Sequence, residues 1–153
     1  MSNSQPTYHD AELVLKLYDL RREPVMREAR NFIPTLAGAS FEKVMEVTSA
    51  FGTKENAYVR QVYGYWEMVA SLIVHGTLNA ELAYDTLQEM YFAYAMIQPH
   101  VEEFRKKMNS PDFLKNVQKV VESTPQGRQR LEQIKQRMAQ FAAMRSAQTA
   151  KAS

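Results

Sequence analysis

Residues 54–75, KENAYVRQVYGYWEMVASLIVH, constrain the fold more than any other stretch. On a helical projection Tyr58, Val59, Val62, Tyr63, Tyr65, Trp66, Val69, Ala70, Leu72 and Ile73 cover most of the circumference. The polar positions Arg60, Gly64, Glu67, Ser71 and His75 are separated by 4, 3, 4 and 4 residues, so they stack in one narrow stripe. A helix this apolar around its girth belongs at the centre of a bundle, with other helices packed on it. Gly52 and Thr53 precede it as a stop and an N-cap, and Gly76 ends it. Asn79 then caps the next helix after only a few residues, so 54–75 and 80–98 are expected to form an antiparallel hairpin.

The rest of the chain reads the same way. Leu13, Leu17 and Leu20 mark one face of a helix from about Tyr8 to Arg22. Pro24 suits the first position of a second helix, reaching about Ile33, with Pro34 and Gly38 marking a loop. Ser40 caps a third over about Phe41 to Phe51. Pro99 kinks or restarts the helix that continues to about Met108. Ser110-Pro111 is a start signal for a helix to about Ser123, and Thr124-Pro125 starts a tail helix to about Ala147, frayed beyond. No alternating β-branched run reads as a strand, and no internal repeat is visible. The expected fold is all-α: a single-domain helical bundle of six to seven helices built around the hairpin, with residues 1–124 as the bundle and 125–153 as a basic amphipathic helix, docked or extended.

At 153 residues the chain is long enough to bury a real core. It has no cysteine, which excludes disulfides, thiolate zinc sites and thiol catalysis and agrees with a cytoplasmic setting. The N-terminal segment is polar, without the pattern of a signal peptide, and no apolar run reaches the length of a membrane span. Six basic residues against the single acid Glu132 give residues 125–153 a net charge of +5, while 13 basic and 16 acidic residues leave 1–124 at −3.

Catalytic signatures are missing. There is no Gly-rich phosphate loop, nucleophile elbow, zinc-protease helix or EF-hand loop. A helical di-iron site needs Glu-x-x-His on two helices, and none of His9, His75 and His100 follows a glutamate at that spacing. No catalytic residue, metal or cofactor is therefore assigned. The polar stripe has two readings. Facing solvent, Glu67 is simply wet. Facing a neighbour or a cleft, Glu67 must be paired, because a buried lone carboxylate is very costly; Arg60, Ser71 and His75 then complete a candidate ligand site. In that case Asp85, Gln88 and Glu89 fall near its level across the hairpin.

Eight aromatics on the hairpin and nine methionines in the chain suit adaptable packing, with core filling as the default. In the tail, Leu131, Ile134, Met138 and Phe141 follow a 3, 4, 3 spacing. That seam is too short for a coiled coil but long enough to dock on its own domain or on a partner. Arg128, Arg130, Lys135 and Arg137 flank it, without the interleaved aromatics of a nucleic-acid surface.

The segments ELVLKLYDLRREPVMREAR and NAYVRQVYGYWEMVASLIVHGTLNAEL resemble a family of small helical bacterial proteins of unknown function, over roughly residues 8–120. The resemblance implies an all-helical fold and a bacterial source, and it supplies no catalytic residues. The function expected from the sequence is a protein-binding or self-associating module. The alternatives are small-molecule or metal binding along Arg60, Glu67, Ser71 and His75, and weak nucleic-acid binding through the tail. The expected partner is a protein or a second copy.

Overall fold

The computed structural model describes residues 5–152, with the side chains of residues 149, 151 and 152 left aside. The first four residues of the polar N-terminus and the last of the tail lie outside the described residues. Every regular element is helical: α1 (Tyr8–Arg22), α2 (Pro24–Phe32), α3 (Phe41–Ser49), α4 (Lys54–Val74), α5 (Ala80–Thr86), α6 (Glu89–Ile97), α7 (Val101–Lys107), α8 (Lys115–Glu122) and α9 (Pro125–Ala152). Two 3-10 turns, Ile33–Leu36 and Gln98–His100, join α2 to the loop before α3 and α6 to α7. No strand occurs among the described residues.

Local chemistry sets most boundaries. Thr7 and Asp10 form a capping box at the start of α1. Ser40, Thr53 and Asn79 each accept a backbone amide at the start of α3, α4 and α5. Asp10 also accepts the Asn79 amide at 2.6 Å, tying the start of α1 to the turn after α4. Its bonds to Thr7 and to the Asn79 amide hold its carboxyl below the usual aspartate value. Gly52 and Gly76 take φ of +89° and +73°, the left-handed conformation in which glycine avoids a Cβ penalty.

α4 is central, as its girth requires. Val59, Val62, Tyr63, Trp66, Val69, Ala70 and Ile73 are buried. Its most extensive neighbours are α2 on one flank and α8 on the other. Asn56, buried near its start, donates to the carbonyls of Val47 and Thr48 and so satisfies the end of α3.

Two differences from the expected helices stand out, and the first alone accounts for there being more than six or seven among the described residues. The arm after the hairpin turn is not one helix over 80–98. Leu87 is fully buried with φ −109° and ψ 44°, which ends α5 before Glu89 opens α6. Neither glycine nor proline marks the break. Past Pro99 the helix restarts as α7. The second difference is at 110–123. Ser110-Pro111 does not open the helix there. Residues 111–114 form a turn, and α8 begins at Lys115 after Leu114, which is left-handed at φ +53° and buried. Burying that leucine in the core delays the helix and leaves its first amides without a local cap.

α9 runs 28 residues, past the expected Ala147, about 42 Å at 1.5 Å per residue. Thr124 caps it through the Gly127 amide at 3.0 Å. A Cβ on Gly127 would stand 2.3 Å from the Val121 carbonyl oxygen, so the tight α8–α9 corner requires glycine.

Candidate functional site

Glu67 supplies the cap that α8 lacks. Its Oε1 accepts the Asn116 backbone amide at 2.9 Å and the Asn116 Nδ2 at 2.8 Å, and its Oε2 accepts the Val117 amide at 3.1 Å. A carboxylate from α4 thus fills the place a side chain of residue 114 would fill in an ordinary helix start. The partial positive charge at the α8 N-terminus adds to the attraction. Glu67 is half-buried and fully engaged, with backbone and amide donors.

The stripe divides around it. Arg60, Gly64 and Glu67 line a cleft of about 450 Å³ between α3–α4 and the α7–α8 segment. Its apolar walls come from Val59, Tyr63, Phe104, Met108, Phe113 and Leu114. The Phe104 and Phe113 rings sit 4.4 Å apart, centroid to centroid. Ser71 and His75 do not line this cleft; Ser71 is half-buried one turn beyond Glu67, and His75 is exposed at the end of α4. No side chain at Gly64 would be crowded: nothing lies within 4 Å of its Cβ position. The other histidines are structural or solvated. His100 Nε2 is 2.9 Å from the Ala39 carbonyl oxygen, and His9 lies on the surface beside Glu12. Among the described residues no cluster of three His, Asp or Glu side chains is arranged to hold a metal.

The acidic residues across the hairpin do not meet Glu67. Glu89 instead opens α6 on the opposite flank of α4 and binds two guanidinium groups. Arg21 Nη2 donates to it at 2.5 Å, and Arg30 contacts both its oxygens, at 2.5 and 2.7 Å. The Arg21 side chain is only 10% exposed and lies over the Tyr18 and Trp66 rings. Glu89 raises the Arg30 pKa above its usual value. Next to this cluster Tyr65 donates to the Leu17 carbonyl, and burial pushes its phenol up to about 12. Sequence spacing had no means of finding Arg21, Arg30 and Glu89 as one unit, since the partners are 59 and 68 residues apart.

In the tail the expected seam is graded. Leu131 and Ile134 are buried against α6 and α8, Met138 is half-buried at the edge of the core, and Phe141 is 60% exposed. Met144 follows at 57%. The basic flank is partly consumed by the body. Arg130 stacks 3.4 Å above the Tyr84 ring and donates to the Tyr84 carbonyl, and Arg128 donates to the Glu122 carbonyl at 2.6 Å.

These features define an all-α bundle with a trans-capped helix, an apolar cleft beside its central helix and a projecting C-terminal helix. The chain belongs to the family of the domain of unknown function DUF4760, whose pattern spans residues 6–124. No curated protein and no solved structure matches the chain. No helix among the described residues is long and apolar enough to cross a membrane.

Proposed function

We propose that this protein works as a self-associating module through the distal part of α9. The observation that carries this reading is the exposure of Phe141 and Met144 on a helix whose earlier apolar positions, Leu131 and Ile134, are buried. The seam continues past the edge of its own domain. An isolated helical segment of that length is marginal in water unless something packs on it. Charge favours a second copy: the tail carries +5 and the remainder −3, so the arm of one copy is complementary to the body of another. With Arg128 and Arg130 turned onto the body, the tail offers less to a phosphate backbone than its composition suggests.

Sedimentation of the full chain tests this against Phe141→Gln with Met144→Gln, two changes on exposed positions that leave the docked turns intact. The expected result is a dimer that becomes a monomer in the double variant and dissociates as salt is raised. A wild-type chain that sediments as a monomer throughout the micromolar range sinks the reading. Truncation at residue 124 is the poorer experiment, because it also removes Leu131 and Ile134 from the core.

A further inference from the structure

The cleft beside α4 has the volume of a small-molecule site, about 450 Å³, and predominantly apolar walls. Phe51 stands at its rim, 71% exposed, an apolar ring held in water next to an apolar hollow. Three charged side chains line the space. Glu67 is occupied by three donors from α8, and Asp112 is paired with Lys115 at 3.0 Å. Arg60 alone among the three has neither an ion pair nor a hydrogen bond to any described residue. One turn on, Gly64 leaves the α4 backbone bare between Arg60 and Glu67, on a helix where glycine is otherwise unfavourable. The cleft therefore offers one uncommitted cation beside an aromatic, methionine-containing hollow.

We propose that this cleft binds a small amphiphilic carboxylate. The apolar body lies against Phe104, Phe113 and Tyr63, and the carboxylate pairs with the Arg60 guanidinium, whose planar fork matches two oxygens at once. The bare backbone at Gly64 gives the ligand room to reach both. Glu67 and Asp112, committed to α8 and Lys115, remain in place and disfavour a second anionic group on the same ligand. The site shares no residue with the distal part of α9, so its failure leaves the self-association reading untouched, and the reverse holds.

Calorimetric titration of the full chain with decanoate, decanol and decyltrimethylammonium tests the assignment. Decanoate is expected to bind at least tenfold tighter than decanol, and the cation weaker still. Arg60→Gln, a change at an exposed position, is expected to bring decanoate down to the affinity of decanol while leaving decanol unchanged. Gly64→Leu fills the hollow and is expected to abolish binding of all three, with the helical circular dichroism and melting temperature retained. Equal affinity for the three head groups, no decanoate binding, or decanoate affinity unchanged in either variant overturns the proposal.

Discussion

The two flanks of α4 solve the same problem in opposite ways. Each must accommodate a half-buried glutamate. On the α1–α2–α6 flank, Glu89 meets two guanidinium groups, one of them packed on aromatic rings, beside a hollow of about 220 Å³. On the α8 flank, Glu67 meets backbone and side-chain amides, and a cleft stays open beside it. Charge answered by charge brings long side chains from three helices into one place and leaves a smaller hollow between them. Charge answered by a helix start uses almost no side-chain volume, and the cleft beside it is the larger, about 450 Å³.

The largest effect expected to probe that contrast is at Glu89. Glu89→Ala leaves the nearly buried Arg21 guanidinium without its carboxylate, at a cost of about 3 kcal/mol. Denaturant unfolding followed through Trp66 fluorescence measures it; a loss below that of a surface residue would mean the cluster is held by packing alone. Replacing Arg21, Arg30 and Glu89 together by methionine is expected to recover much of the loss, because no charge is then stranded.

Glu67→Ala comes next, at about 1–2 kcal/mol, the range for losing a helix cap that serves two backbone amides. Here no apolar replacement rescues, since the orphaned groups belong to the backbone of α8. If Glu67→Met proves as stable as the wild type in the same unfolding assay, the two flanks do not differ in the way described.

The smallest effect has the opposite sign. Gly64→Ala is expected to stabilise by about 0.5–1 kcal/mol, because its Cβ meets nothing and the helix gains propensity. A rise in melting temperature checks it, and a fall would show that the cleft is tighter than its walls suggest.

The contrast also explains what was legible in the sequence. Helix starts at Ser40, Thr53 and Asn79 and the turns at Gly52 and Gly76 were readable, because each depends on residues within a few positions of one another. The apolar girth of α4 marked it as central for the same reason. Glu67 stood out as a carboxylate in an apolar run, but its partner did not, since α8 follows a turn closed by a left-handed buried leucine rather than the Ser110-Pro111 signal. The break at Leu87 was hidden because burial, not a breaker residue, causes it. The walls of the cleft come from α3, α4, α7 and the turn before α8, so only part of the α4 contribution, Arg60, Gly64 and Glu67, lay on one visible line.

The cap on α8 has a consequence for dynamics as well as for structure. Its start signal is written 49 residues upstream, so the N-terminus of α8 is complete only when α4 is packed against it. The stability of the two helices is thereby coupled, with a long-range contact completing a short local helix. The Asn116 and Val117 amides report on that coupling: in hydrogen exchange they are expected to open in step with the parting of α4 and α8 rather than with the fraying of α8 alone.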